Sequence, residues 1–439
     1  MPYGECIDAV VKWWNGFGIK YCRVPKAAFD PVYSTWYSYH QNVTTAAMLK
    51  ELEAASKMGM KTVIINDGWQ TDDNSREYVY CGEWTTAKRK INDMKAFVKT
   101  VHELGMKAML WYSVPYVGIY SPVFECFKDK LLNPDCERKY FVLDPRYPEV
   151  REYMVKTYEN AVNKWDIDGM KLDFVDAFKL YDSSNPFSTQ MDTASVEKAV
   201  SLLLCEIHKR VTAIKPDILI EFRQSYISPI MLSFGNMFRV CDCPMDPVTN
   251  RVGSINLRLT SGDRAVHSDM IMWDTATTAE TAAESLINAL FAVPQISMRI
   301  NELPEEHYKM LKTYLEVWKE NREVLMRGEL KAESPEANYS IVTAKKNSQL
   351  AAVAYSNPIL TLTDKLTKIT FVNGTGKDRL YIENKGNAAE YKCTIITCTG
   401  EYTVQCDLLL NNGVNVFTVP VSGIIKLENY TYEGNNICS

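Results

Sequence analysis

Residues 169–174 read Gly-Met-Lys-Leu-Asp-Phe, and the reading of the whole chain turns on this stretch. It is an apolar run of strand length, and Lys171 and Asp173 stand two residues apart, so both side chains leave one face of the strand. Helical patterns flank it at Val150–Trp165 and Val196–Ile214. A short apolar run between amphipathic helices is the unit of a parallel α/β fold. Working outward, the same texture runs from about residue 33 to 325. Strand candidates are Thr62–Asn66, Ala108–Tyr112, Tyr140–Leu143, Gly169–Phe174, Ile218–Phe222, Met237–Cys241, Ala265–His267 and Gln295–Met298, with helical patterns such as Ala46–Met58, Met94–Leu104 and Ala279–Phe291 between them. Eight such strands predict an α/β fold of the (β/α)8 TIM-barrel type over 33–327, with Asp173 ending the fourth strand. After the helical stretch Glu305–Leu325 the pattern changes to alternating residues with Asn/Gly turns, as in LLNNGVNVFTVPVSG (409–423). This predicts a C-terminal antiparallel β-sandwich domain over 328–439. Residues 1–32 read as a leading helix and connector.

Bulk properties narrow the function. A chain of 439 residues with 46% hydrophobic content exceeds the size of a single core, so two domains are expected. With 49 basic and 54 acidic residues and no long run of either sign, nothing points to nucleic acid or an anionic membrane surface, and a neutral substrate is expected. The N-terminus MPYGECIDAVVKWWNGFGIKYC lacks the basic and apolar regions of a signal peptide, and no window is apolar enough to span a bilayer; a cytoplasmic enzyme is favoured. The twelve cysteines are scattered, and the close pairs Cys241/Cys243 and Cys393/Cys398 lack metal-site spacing. They read as free thiols, mostly buried, in a reducing compartment, with no metal and no cofactor implied. A homo-oligomer is left open.

In a TIM barrel the chemistry sits at the C-terminal strand ends, so polar residues just after each apolar run are the informative ones. TVIIN ends in Asp67-Gly68-Trp69; AMLWY ends in Trp111 and Tyr112; GMKLDF carries Lys171 and Asp173; the next strand ends in Glu221 and Arg223; MFRVCD ends in Asp242; and AVH ends in His267 with Asp269 beyond. Two carboxylates at nearby tips can act as nucleophile and acid/base, which in retaining glycosidases stand roughly 5–5.5 Å apart. Asp173 and Asp242 form the natural pair, with Asp246 or Asp269 as alternatives for the second role. A lysine beside Asp173 favours its ionised form. Each feature also has a plainer reading: a strand-end Asp is often the cap of the next helix, and tryptophans often close a barrel top. Charged or aromatic residues at five or more tips on one face argue for a site.

These segments resemble the melibiase clan of glycoside hydrolases, and within it the family 36 α-galactosidases. The likeness lies in PVYSTWYSYHQNVT (31–44), INDGW (65–69), YCGEW (80–84), VHELGMKAMLWY (101–112), DGMKLDF (168–174), RVCD (239–242) and the helical exit AVPQISMRINELPEEHYKMLKTYLEVWKENREVL (292–325). The resemblance implies that Asp173 is the nucleophile and Asp242 the acid/base, that Asp67 reads the C4 and C6 hydroxyls of galactose, and that Lys171 steadies Asp173. Trp36 and Trp84 would wall the pocket, and Trp69, Trp111, Glu221, Arg223 and His267 would complete the carbohydrate site.

Departures from the family lie in the same places. Asn66 stands where many relatives have a second aspartate, Ser113-Val114-Pro115 replaces a Glu-Pro-Glu, and EFRQSY (221–226) replaces a glycine-rich turn. The family's large N-terminal β-domain is expected to be missing, since 32 residues precede the barrel. The same fold also serves transglycosylases of the raffinose synthase type and α-N-acetylgalactosaminidases. A non-catalytic sugar-binding protein is the reading from a different class.

Overall fold

The computed structural model describes residues 3–262 and 264–429. Eight parallel strands close into a barrel: β1 (Val32–Ser34), β2 (Thr62–Ile65), β3 (Lys107–Ser113), β6 (Gly169–Asp173), β7 (Leu219–Arg223), β8 (Met237–Arg239), β9 (Ala265–Ile271) and β10 (Val293–Ile296), in the order β1-β10-β9-β8-β7-β6-β3-β2. Between β3 and β6 lie β4 (Tyr116–Gly118) and β5 (Tyr140–Val142), which pair with each other in a separate antiparallel hairpin. Asp173 does end the fourth barrel strand.

Two expectations about the barrel are corrected here. Tyr140–Leu143 is not a barrel strand: its aromatic and β-branched residues suit any half-buried strand, and they are spent on the hairpin. The barrel strand that was missed is β1, whose three residues Val-Tyr-Ser are too short for any periodicity to show. One strand lost and one gained leave the count at eight.

The chain divides into two compact units. The first comprises Gly16–Cys241 with Gln295–Arg299 and contains Asp67, Lys171 and Asp173. Its barrel strands are largely apolar, as strands covered on both faces tend to be, with the charged residues of the site near their C-terminal ends; β2 and β6 are buried at every position. Side-chain caps start some of its helices: Asp93 accepts from the Ala96 N–H at 3.0 Å and Ser195 from the Lys198 N–H at 3.1 Å.

The second unit comprises Met1–Asn15, Asp242–Pro294 and Ile300–Ser439. Within it, a seven-stranded sheet in the order β11-β12-β13-β15-β20-β17-β18 and a three-stranded sheet in the order β14-β16-β19 form the C-terminal sandwich. Its strands are β11 (Glu329–Glu333), β12 (Ile341–Lys346), β13 (Gln349–Ala354), β14 (Ile359–Leu362), β15 (Lys368–Asn373), β16 (Arg379–Asn384), β17 (Ala389–Ile396), β18 (Tyr402–Leu410), β19 (Gly413–Thr418) and β20 (Ile424–Asn429). Leu360, Phe371, Leu380, Ile382 and Leu427 are among the residues of its core. Most pairs are antiparallel as expected. Two are parallel, β13 with β15 and β14 with β16, because β14 and β16 belong to one sheet and β13 and β15 to the other.

The described cysteines are free thiols, but the expectation that most are buried is corrected: Cys22, Cys81, Cys393 and Cys398 are buried, whereas Cys6, Cys126, Cys205, Cys241 and Cys406 are exposed. Among the described residues, no helix is long and apolar enough to cross a membrane.

Candidate active site

Strand β6 brings Lys171 and Asp173 to the barrel mouth, and both are buried. One Asp173 oxygen accepts from Arg223 Nε at 2.5 Å and from the Phe174 N–H at 2.9 Å; the other accepts from Trp111 Nε1 at 3.0 Å. Burial pushes the carboxyl pKa up, but the charges of Lys171, Arg223 and Arg239 together with the Trp111 N–H outweigh it and hold Asp173 below the ordinary carboxylate range. The group is therefore an anion with both oxygens oriented. In-register pairing aligns Trp111 with Lys171, and Lys171 with Glu221, across three neighbouring strands.

Lys171 Nζ donates to Asn66 Oδ1 at 2.9 Å, and the Asn66 amide donates to Ser34 Oγ at 2.8 Å and to the Ile64 carbonyl at 3.2 Å. An aspartate at 66 would have no N–H for that carbonyl. Next along the chain, Asp67 accepts from Gln41 Nε2 at 2.8 Å and Gln70 Nε2 at 2.6 Å. Burial raises its pKa against the pull of Gln70, Gln41 and Lys90. Lys90 Nζ fastens the surrounding loop by donating to the carbonyls of Gln41, Gly68 and Asp73 and to Asn74 Oδ1. The turn after Asp67 requires glycine, since Gly68 has φ +116 and an added Cβ would lie 2.5 Å from Gln41 Cα.

The tryptophans take different stations. Trp69 is fully buried, donates from Nε1 to the Trp111 carbonyl at 2.9 Å, and packs against Trp84, Tyr112 and Trp165. Trp84, also buried, touches Trp69, Trp111 and Tyr112 and has φ 47, an unusual conformation for so bulky a residue. Trp36 is half-buried beneath the Arg76 guanidinium. Glu221 is buried completely, 3.5 Å from Arg239 and receiving a 2.5 Å hydrogen bond from Gln295. Burial raises the Glu221 pKa, opposed by Lys171, Arg239 and Gln295.

Sequence reasoning did not single out Gln41, Gln70, Lys90 or Arg239, nor Tyr78, whose ring lies among those of Trp111, Tyr116, Tyr140 and Phe174. No local pattern signals them: Gln70 lies three residues from Asp67 but belongs to no strand or helix period, and the others act across a gap in sequence.

Within the second unit, Asp242 is exposed on the loop after β8. That loop is anchored by Asp269, fully buried on β9, which accepts from the Cys243 N–H at 2.7 Å. Asp246 caps helix Pro247–Ser261, accepting from the Thr249 N–H at 3.0 Å and the Thr249 hydroxyl at 2.6 Å. The threonine hydroxyl and the amides of Thr249 and Val248 hold it below the ordinary range despite some burial. His267 is fully buried on β9.

This is a (β/α)8 barrel with an ionised, doubly oriented carboxylate at the tip of its fourth strand and a second buried carboxylate at the tip of its second. That is the end of the fold where barrel enzymes carry their chemistry. The chain belongs to the Melibiase family, whose model matches residues 28–256. It is similar to α-galactosidase 1 of Pediococcus pentosaceus, 26% identical over 200 residues that make up 43% of this chain and 26% of that protein. It is also similar to α-galactosidase Mel36A of Lactobacillus acidophilus, 28% identical over 149 residues, 32% of this chain and 20% of that one. Among solved structures, the α-galactosidase of Lactobacillus brevis superposes with a TM-score of 0.66 at 16% identity, covering 91% of this chain and 55% of the other. The GH36 α-galactosidase AgaA of Geobacillus stearothermophilus gives a TM-score of 0.63 with the same identity and coverage. The chain thus spans about a quarter or less of the length of these curated relatives and just over half of these solved chains.

Proposed function

We propose that the protein is a retaining glycoside hydrolase that releases terminal α-galactosyl residues by double displacement. The observation that carries this reading is Asp173: an anion at a barrel strand tip, kept ionised by Lys171, Arg223 and Arg239, with Trp111 and Arg223 fixing its two oxygens. Such a carboxylate is prepared for attack on an anomeric carbon. Membership of the Melibiase family supports the reaction class, and solved relatives holding raffinose or stachyose support an α-galactoside substrate.

In this reading, Asp173 displaces the leaving group from the anomeric carbon to form a covalent glycosyl-enzyme, while Asp242 gives its proton to the departing oxygen. Asp242 then takes a proton from water, and the hydroxide displaces Asp173 and restores the original anomeric configuration. Asp242 takes that role as the carboxylate that closes the segment RVCD after β8, while Asp246 caps the helix that follows and Asp269 anchors the loop from β9. Asp67 receives the sugar hydroxyls, its oxygens directed by Gln41 and Gln70. Losing such a bond leaves a buried polar group unpaired, the basis for choosing the axial C4 hydroxyl.

The test is turnover of an aryl α-galactoside by the parent protein and by Asp173→Ala and Asp242→Ala. Loss of turnover by both variants, with α-galactose as the first product in an NMR time course, is expected. Full activity in either variant, or β-galactose as the first product, refutes the assignment. Incubation with raffinose and a second acceptor separates hydrolysis from transfer.

A further inference from the structure

The hairpin β4–β5 and the loop 70–83 are bound into one piece. The Gly118 N–H donates to the Cys81 carbonyl at 2.8 Å, and the Tyr120 N–H to the Val79 carbonyl at 2.9 Å. Gly118 has no side chain to hold the two backbones apart; a Cβ there would lie 2.0 Å from Val79 C and O. This union gathers Tyr78 from the loop and Tyr116 and Tyr140 from the hairpin. Ring centroids lie 5.5 Å apart for Tyr78–Tyr116, 5.4 Å for Tyr78–Tyr140 and 4.9 Å for Tyr116–Tyr140. The cluster abuts the proposed nucleophile through Phe174, the residue after Asp173, whose ring is 5.3 Å from Tyr78 and 5.0 Å from Tyr116. It also meets Trp111, which donates to Asp173 and stacks on Tyr78 at 6.3 Å.

Depth separates this cluster from the sugar-reading groups. Asp67, Lys171 and Asp173 are 2%, 4% and 6% exposed, whereas Tyr78, Tyr116, Tyr140 and Phe174 are all half-buried. An enzyme that removes a terminal sugar seats that sugar at the deep end and leaves the departing group at the rim. Half-exposed rings beside the nucleophile therefore face the departing group, and aromatic faces recognise flat or apolar-faced partners.

We infer that Tyr78, Tyr116 and Tyr140 form a leaving-group platform that selects α-galactosides whose departing group presents a ring face, either an aryl group or a second pyranose. The inference rests on the α-galactosidase reading. Burial, with the charges of Asp67 and Asp173, keeps the Tyr78 hydroxyl protonated, and burial with Tyr140 does the same for Tyr116, so both also serve as hydrogen-bond donors.

The test compares kcat/KM on phenyl α-galactoside, melibiose and methyl α-galactoside for the parent, Tyr116→Ala and Tyr116→Phe. The phenyl-to-methyl ratio is expected to fall about 10-fold in Tyr116→Ala, as loss of one stacked ring implies, and to be retained in Tyr116→Phe. A ratio of rates is indifferent to a partly inactive preparation, and Tyr140→Ala provides a second variant should Tyr116→Ala not fold. A fall in the melibiose-to-methyl ratio as well assigns the platform to ring faces in general; a fall for phenyl alone assigns it to aryl groups. Ratios unchanged within twofold overturn the platform while leaving the hydrolase reading intact. A folded parent inactive on all three substrates overturns both.

Discussion

Replacing Gly118 by alanine tests the junction on which the rim of the site depends. The backbone of Gly118 is not in the left-handed region, so alanine brings no conformational strain of its own and any cost must come from contact. Its Cβ would meet Val79 C and O at 2.0 Å and Tyr78 O at 2.6 Å, all backbone atoms that no rotamer change can move aside. Restoring an ordinary contact of about 3.4 Å requires the strands to part by roughly 1.4 Å. Such a shift carries the 2.8 Å and 2.9 Å hydrogen bonds that join them past bonding distance. Two hydrogen bonds at about 1 kcal/mol each, together with overpacking strain of about 1–3 kcal/mol, give a loss of about 3–5 kcal/mol. The shift also moves Tyr78 relative to Asp173, and a displacement near 1 Å at a reacting centre costs on the order of 100-fold in rate. Urea unfolding reads the first effect, near-ultraviolet circular dichroism of the tyrosine cluster the second, and aryl α-galactoside turnover the third. Gly4, with nothing within 4 Å of an added Cβ, is the control. A Gly118→Ala protein within about 0.5 kcal/mol of the parent, with the same near-ultraviolet spectrum, would refute the reasoning.

Arg223→Gln removes one of the charges that hold Asp173 below the ordinary range, so the pKa of the proposed nucleophile rises. The reaction needs the anion; the acid limb of the kcat/KM profile therefore moves to higher pH, with about 10-fold lost at neutrality and more below pH 5, and an unmoved limb in a pH-rate series contradicts this. Asp246→Ala removes a helix cap and should cost about 1 kcal/mol in urea unfolding while leaving turnover within a few-fold of the parent; loss of turnover comparable to Asp242→Ala would transfer the acid/base role to Asp246. Asp168 accepts from His102 at 2.7 Å, from the Ala108 N–H at 2.9 Å and from Lys215 at 3.2 Å. Burial raises its pKa, but the Ala108 N–H, His102, Lys215 and Lys107 bring it below the ordinary value. A depressed folded-state pKa contributes stability above the unfolded value of about 3.9 that is lost as pH falls through the folded value. Asp168→Asn should therefore cost about 1–3 kcal/mol at pH 7 and progressively less in acid; equal losses at pH 7 and pH 3 would count against it.

What could be read from the sequence follows from how local each signal is. Lys171 and Asp173 stand two apart on one strand, so a single alternation places both on one face, and nothing distant is needed to see it. The sandwich was legible because its turns and alternation repeat over a hundred residues. Strand β1 was not, since three residues carry no period, and its place was given to Tyr140–Leu143, which has strand composition but no helix of its own to make it part of a barrel.

Most of the residues left unread work through a partner in a segment not adjacent to their own: Gln41 reaches Asp67 across 26 positions and Gln295 reaches Glu221 across 74. This division has a mechanistic counterpart. The residues proposed to bond the sugar and its anomeric carbon are carried on strand tips, where the barrel fixes them and a short motif announces them. The rim proposed to meet the departing group is built from a loop and a hairpin clamped together at Gly118. The two parts are structurally separable: Tyr116 lies just beyond Ser113-Val114-Pro115, outside the strand that carries Trp111. A substitution at Tyr78, Tyr116 or Tyr140 is therefore expected to alter which leaving group is accepted while leaving the hydrogen bonds to the proposed nucleophile Asp173 in place.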